Sequence, residues 1–254
     1  SGRGLHFFQK ISSSEFSGRL RFHQTKKALL FHVFREMMRK NTTLYCRSMI
    51  VGLLVSLLMF RKTIVELHQD KFTGRALLNK VLIQLVRNIA IRRLKVVVIS
   101  GALKKIFEDQ GVKLDITVIH DGFDAPKTVT SRATKSRITY TGMVAFDRGF
   151  GEICELAKSF PNSRFLVLGA DRQNVETFRK YACEHAPNVR IYLKQGRQRV
   201  HKFQLSSSVL LALWGDNVPT MKYCSPLKIF EYMATGNPIL VHDYEVLNEV
   251  LPDT

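Results

Sequence analysis

Lys228 and Glu231 stand three residues apart in Ser225-Pro-Leu-Lys-Ile-Phe-Glu-Tyr-Met-Ala-Thr-Gly-Asn-Pro-Ile-Leu-Val, so any helix spanning them carries a cation and a carboxylate on one face. Ser225 is a competent N-cap and Pro226 suits the first helical position, and the segment therefore predicts a helix over residues 226–233. Backbone N–H groups around Ser225 and Leu227 would carry partial positive charge at that end and favour a phosphate. Lys228 adds a full charge in the first turn. Glu231, one turn deeper, would repel phosphate but accepts hydrogen bonds well from ribose hydroxyls. Residues so placed suit a nucleoside diphosphate. A capped amphipathic helix with a surface Lys-Glu pair explains the same spacing without any ligand.

A second segment, Tyr140-Thr-Gly-Met-Val-Ala-Phe-Asp-Arg-Gly-Phe, reads as a strand, a loop and then Arg148 at the mouth of a helix that starts near Gly149. In a parallel sheet such a loop puts Gly142 and Arg148 at the carboxyl edge, where open α/β sheets bind ligands. Arg148 could close on a diphosphate through charge-assisted hydrogen bonds, or stand solvated beside Asp147.

The elements that must position these residues follow from hydrophobic periodicity. β-branched runs predict strands at 43–46, 63–67, 95–99, 115–119, 138–142, 164–168, 189–193, 209–213 and 238–241. Amphipathic stretches predict helices at 26–39, 48–60, 76–91, 102–110, 150–159, 173–184, 198–204, 226–233 and 244–251. This alternation is that of βαβ units and parallel sheets buried on both faces. The polar, aperiodic stretch from Asp121 to Arg137 marks a boundary, giving a first domain over 1–124, a linker over 125–136 and a second domain over 137–254. A ligand cleft is expected between two such units.

Composition narrows the setting. The 254 residues are 45% apolar and carry a net charge of +18. Residues 1–100 hold +15 of that charge and residues 101–254 only +3, so the two parts face different surroundings. Cys46, Cys154, Cys183 and Cys224 lie far apart without a C-x-x-C pair, which argues against a zinc site or a disulfide framework and points to a reducing compartment. The longest apolar run, residues 49–60, is interrupted by Gly52 and Ser56 and falls short of the roughly 20 residues of a membrane span.

Taken in order, several of these segments resemble family 4 glycosyltransferases, which have the two-domain GT-B architecture. Residues Ser225 to Ala234 resemble the family's S-P-L-K-[IL]-F-E-Y-[ML]-A stretch. Ile99-Ser100-Gly101-Ala102-Leu103 resembles I-S-x-A-L, and His120-Asp121-Gly122-Phe123-Asp124 resembles [NH]-[DG]-G-[VF]-D. Gly142 with Arg148-Gly149 matches G-[RL]-x4-K-G with Arg for Lys, Phe165 to Gly169 matches the following strand and glycine, and Glu66-Leu67-His68 resembles E-x-H. The resemblance covers residues 43 to 254.

It implies an α/β fold of two Rossmann-like domains facing across a cleft, the first of them incomplete in this chain because residues 1–24 read poorly as the family's opening strand and glycine-rich loop. It also implies transfer of a sugar from a nucleotide-diphosphate sugar to a polysaccharide or lipid-linked acceptor, with retention and without a metal or other cofactor. No D-x-D pair is present to suggest a metal. Arg148, Lys228 and the backbone at Ser225 and Leu227 would meet the charge of the departing diphosphate, Gly142 would flank the donor, and His68 would face the donor sugar. Glu231 matches the second glutamate of an E-x7-E element, the one expected to hold the ribose, whereas the first falls at Tyr223. The arginine that often follows the first glycine of the loop falls at Met143. Glu249 matches a helix glutamate with a structural role, and Trp214 reads as a residue that closes the core.

The basic first hundred residues suggest an anionic membrane surface as partner, with ordinary solvated faces as the reading that needs none. Cations at 19–39 and 80–95 interleave with Phe, Leu and Met, a surface that can hold anionic lipid at about 1 kcal/mol per Lys or Arg. Nucleic acid fits the charge but finds no recognised reading motif here. The expectation is a cytoplasmic enzyme, peripheral at the inner membrane face. The competing expectation is a non-catalytic, truncated remnant that binds nucleotides or acidic surfaces.

Overall fold

The computed structural model describes residues 43–88, 91–123, 134–214 and 218–251. The predicted helix 26–39 and most of the predicted linker 125–136 lie outside the described residues. Within them the order is β1 (Thr43–Cys46), α1 (Met49–Leu58), β2 (Lys62–Leu67), α2 (Ala76–Asn88), β3 (Leu94–Val98), α3 (Gly101–Asp109) and β4 (Asp115–Val118). There follow β5 (Arg137–Thr141), a 3-10 turn (Phe146–Arg148), α4 (Phe150–Ser159), β6 (Arg164–Ala170), α5 (Val175–His185), β7 (Val189–Leu193), α6 (Arg197–Leu205) and β8 (Val209–Ala212). A 3-10 turn (Pro219–Lys222), α7 (Leu227–Met233), β9 (Ile239–Val241) and a 3-10 helix (Glu245–Glu249) complete the described chain.

Two parallel sheets result, one in the order β1-β2-β3-β4 and the other in the order β7-β6-β5-β8-β9. Continuous apolar strands such as Leu94–Val98 and Arg164–Ala170 suit this pairing, because helices on the sheet faces leave the strands little contact with water. Ser48 and Ser100 start α1 and α3 by accepting from the N–H groups of Val51 and Leu103 at 3.4 and 3.1 Å. Each sheet buries its own apolar cluster. The first is anchored by Val65, Val98, Leu103 and Phe107, with Phe72 stacked on Phe107 at 5.0 Å between centroids. The second is anchored by Phe150, Ile153, Phe165 and Val167. One member of the first cluster, Tyr223, comes from the segment just before α7, so the two halves share core material.

The predicted helix at 244–251 is instead a 3-10 helix over Glu245–Glu249. Its backbone bonds run three residues back, from Leu247 to Tyr244 and from Val250 to Leu247. Val246 and Leu247 are both buried and Glu249 is drawn onto the first half. So short and doubly anchored a segment gains little from an α-helical nucleus.

Candidate functional site

The centre of the site is the Lys228 ammonium. Its Nζ lies 3.9 Å from the ring centroid of Tyr140 at the end of β5 and 5.0 Å from that of Trp214 beyond β8. Two aromatic faces so close hold a cation by their quadrupoles. Tyr140 is fixed by the hydrogen bond its hydroxyl donates to the Met143 carbonyl at 2.9 Å, which also ties down the loop after β5. Gly142 completes the wall. A Cβ there would sit 3.2 Å from both Cε and Nζ of Lys228, and its φ of 147° is one that L side chains rarely adopt.

Burial pulls the Lys228 ammonium down to about 7, the nearby Arg148 guanidinium pushes in the same direction, and the Glu231 carboxylate partly offsets both. Burial likewise lifts the Tyr140 phenol to about 12. Arg148 closes the 3-10 turn Phe146–Arg148, which is pinned by Phe146 packing on Phe150, Phe178 and Tyr181. Among the described residues no hydrogen bond or ion pair engages Arg148.

Glu231 faces the same corner. Gln204, fully buried on α6, donates through Nε2 to Thr141 Oγ1 at 3.0 Å and to Glu231 Oε2 at 3.4 Å. Tyr232, next in sequence, locks α7 in place: its hydroxyl accepts from the Thr141 N–H at 2.9 Å and donates to the Leu211 carbonyl at 3.2 Å. The carboxylate is thus held toward the carboxyl end of β5, the strand that carries Tyr140 and Gly142.

The structure therefore brings Gly142, Arg148, Lys228 and Glu231 together, and treats the other predicted site residues differently. Ser225 is not the N-cap of α7. Pro226 occupies that position with no side-chain cap, and the Ser225 hydroxyl accepts instead from the Asp121 N–H at 2.9 Å. The chain turns into the helix one residue late because Ser225 is buried against the first half. The side chain of Leu227 is exposed, which leaves only its backbone to face a ligand. His68 follows β2, where its Nε2 lies 2.6 Å from Glu66 Oε1, and Glu66 in turn accepts from the Tyr45 hydroxyl at 2.6 Å. That cluster makes no contact with Lys228 or Glu231 among the described residues.

Tyr223, at the position expected to be acidic, is buried in the first core and its hydroxyl donates to Asp70 at 3.4 Å. Trp214, read from the sequence as a core closer, walls the Lys228 pocket as well as joining an apolar cluster. Neither the Tyr140 nor the Gln204 role had a local signal: both depend on which strand and helix become neighbours. Among the described residues no group of three or more His, Cys, Asp or Glu side chains could hold a metal ion.

No family model and no curated protein matches this sequence. Solved structures do. The GtfA/B complex aligns over 94% of this chain and 49% of its own length with a TM-score of 0.60 at 13% identity. A glycosyltransferase from Rickettsia africae ESF-5 aligns over 92% and 67% with 0.57 at 13% identity. WaaG, a glycosyltransferase involved in lipopolysaccharide biosynthesis, aligns over 89% and 67% with 0.51 at 10% identity. The fold is of the GT-B type. The chain spans 39% of the length of S. aureus TarM, another GT-B match, solved as a variant with Fondaparinux, alpha-GlcNAc-glycerol and UDP. Laid on this GT-B frame, Lys228, Arg148 and Glu231 stand at the carboxyl edge of the second sheet, on the loops that follow β5 and on α7. No described helix is long and apolar enough to cross a membrane.

Proposed function

We propose that this chain is a GT-B glycosyltransferase that binds a nucleoside-diphosphate sugar on its second half, residues 137–254, and works on a polysaccharide or lipid-linked acceptor presented by the first, residues 1–124, the two joined by 125–136. The observation that carries the reading is the Lys228 ammonium, held between Tyr140 and Trp214 beside Arg148 and against Gly142. Among the described residues no salt bridge reaches either of the two cations of this site, and Glu231 only partly offsets them, so an anion improves it. As the bond between the sugar and the donor phosphate breaks, negative charge grows on the diphosphate, and fixed cations in a poorly hydrated pocket stabilise that charge more than they stabilise the bound ground state. Lys228 and Arg148 do this work in place of a metal. Glu231, steadied by Gln204, accepts from ribose hydroxyls. His68, held in one orientation by Glu66, presents its imidazole to the sugar across the cleft. That TarM was solved with UDP and WaaG is involved in lipopolysaccharide biosynthesis supports this class of donor and acceptor.

The basic first part of the chain suits a peripheral position on an anionic, cytoplasm-facing membrane surface. Arg47, Arg61 and Arg93 lie near an exposed apolar stripe of α1 and the turn after it, formed by Val51, Leu54, Leu58 and Phe60, and the Arg93 guanidinium sits 5.3 Å from the Phe60 ring.

Tyr223 in place of an acidic residue favours a second reading, a nucleotide-binding remnant without transfer. One experiment separates the two. UDP- and GDP-sugars are titrated against the full chain while thermal unfolding is followed, and release of nucleoside diphosphate is then assayed with and without lipid-linked acceptor. The transferase reading expects stabilisation that is lost in Lys228→Ala and Glu231→Ala, together with release. Stabilisation without release supports the remnant, and no stabilisation by any donor overturns both.

A further inference from the structure

The donor pocket does not use a bidentate carboxylate contact that joins the two halves. Glu249, in the 3-10 helix at the end of the described chain, places its carboxylate on the first two amides of α3: Gly101 N–H donates to Oε2 at 2.6 Å and Ala102 N–H to Oε1 at 2.8 Å. These are charge-assisted bonds at the positive end of a nine-residue helix, where an anion gains both from free donors and from the helix dipole. Neighbouring contacts converge on the same turn. Ser100 caps α3 and also donates to the Tyr223 carbonyl at 2.7 Å. His120 Nδ1 donates to the Ile99 carbonyl at 3.0 Å and turns Nε2 toward Glu249 Oε2 at 3.9 Å.

Packing and polar contacts meet on this flank. Beside Glu249 a groove of about 1090 Å³ opens between α3 (Lys105, Ile106, Asp109) and the 3-10 segments (Pro219, Lys222, Val246). Ala102 packs against the cluster of Met221, Val246 and Leu247, and the carboxylate with the bonds around it supplies the polar part of the contact. The pocket of Lys228, Arg148, Gly142 and Glu231, by contrast, belongs wholly to the second half.

We infer that Glu249 is a positioning residue: its carboxylate, seated on the Gly101 and Ala102 amides, latches the two halves at the angle that brings the acceptor side over the donor pocket. This rests on the function proposed above, but it separates from it in measurement. The latch acts on the relation of the halves, so loosening it leaves donor affinity in place and removes turnover. A merely structural glutamate would lower both along with the melting temperature.

The test uses the full chain with Glu249→Gln and Glu249→Ala. The carboxamide of Gln keeps one acceptor oxygen but sets an NH2 against a backbone N–H, so it is the conservative variant and retains the side-chain volume. Calorimetric Kd for UDP- and GDP-sugars, kcat for nucleoside-diphosphate release, circular dichroism and the radius of gyration from solution scattering are compared. The expected result is a donor Kd within about twofold of the parent, a kcat lowered at least tenfold in Glu249→Ala and less in Glu249→Gln, and a larger radius of gyration in the same rank order. Unchanged scattering in folded variants overturns the latch, as does a loss of donor affinity in step with kcat. If the parent chain binds no nucleotide sugar, the proposed function fails, while scattering still decides for or against the latch.

Discussion

If the proposed donor site is right, Lys228 makes donor binding depend on pH in a way that its ordinary chemistry would not. A lysine near 10.5 stays charged throughout the neutral range, whereas this one, pulled down to about 7 by burial and by Arg148, is half neutral at pH 7. A diphosphate binds the ammonium form, and in the complex its charge returns the lysine toward the usual range. Donor affinity is therefore greatest below pH 7 and falls as pH rises through the free protein's value. Between pH 7 and 9 the fraction carrying the proton drops about 50-fold, so the apparent Kd rises by up to about 50-fold, or about 2.3 kcal/mol. Calorimetric titration of the preferred nucleotide sugar across pH 6 to 9 measures the slope, and buffers of different ionisation enthalpy report the proton taken up near neutrality. Lys228→Arg, which cannot titrate in this range, flattens the curve, and Arg148→Ala moves its midpoint upward by removing one of the two effects that depress the lysine. A parent curve as flat as that of Lys228→Arg would refute the reasoning.

The same pocket predicts that Lys228→Met unfolds at higher temperature than the parent while losing turnover. The gain is on the order of 2–4 kcal/mol below pH 7, where the buried ammonium is charged in both folded and unfolded chains, and it shrinks as pH rises toward the unfolded value near 10.5; thermal melts from pH 6 to 10 read it. In Gly142→Ala the new methyl presses on Lys228 Nζ at 3.2 Å in a backbone conformation unsuited to alanine, so donor Kd rises at least tenfold with a stability loss of about 1–2 kcal/mol. Gly169→Ala cannot be accommodated, because its Cβ would lie 1.9 Å from the Gly142 carbonyl oxygen; soluble yield and melting temperature both fall, with a cost above about 3 kcal/mol. Tyr223→Glu restores the acid that the E-x7-E spacing would carry, yet it buries a carboxylate in the first core, so denaturant unfolding shows a loss of about 3 kcal/mol or more and no gain in turnover.

The strand pattern was legible because parallel strands buried on both faces write themselves as short apolar runs. The predicted strands 43–46, 63–67 and 189–193 coincide with β1, β2 and β7 to within one residue. That Gly142, Arg148, Lys228 and Glu231 come together was legible from two segments, one carrying a glycine and a cation after a strand and the other a Lys-Glu pair on one helix face. What remained hidden depends on tertiary neighbours. Ser225 has every local property of an N-cap, but the Asp121 N–H from the first half claims its hydroxyl, and no local rule anticipates a donor 104 residues away. Trp214 reads as core from the sequence, and it is core on one face. Only the arrival of α7 across β5 and β8 turns its other face to Lys228. Glu249 looked structural, and its bond lengths show that the structure it supports lies between the halves rather than within one.

The energetics of the pocket argue against a purely architectural role for it. A buried ammonium costs several kcal/mol unless a carboxylate or an anion pairs with it, and among the described residues no salt bridge reaches Lys228. Arg148, brought close enough to depress it further, makes the resting state worse. A methionine would fill the space between Tyr140 and Trp214 with no such cost, and a surface lysine would escape into water. Neither compromise is taken: the side chain is half-buried, walled by two rings and a glycine that leaves it room. Such an arrangement gains stability when an anion pairs with the lysine, which fits the anion-binding role proposed above. With Glu231 held one turn away by Gln204, an anion that also offers hydroxyl groups suits the corner, which is why a nucleoside diphosphate is the ligand proposed for it.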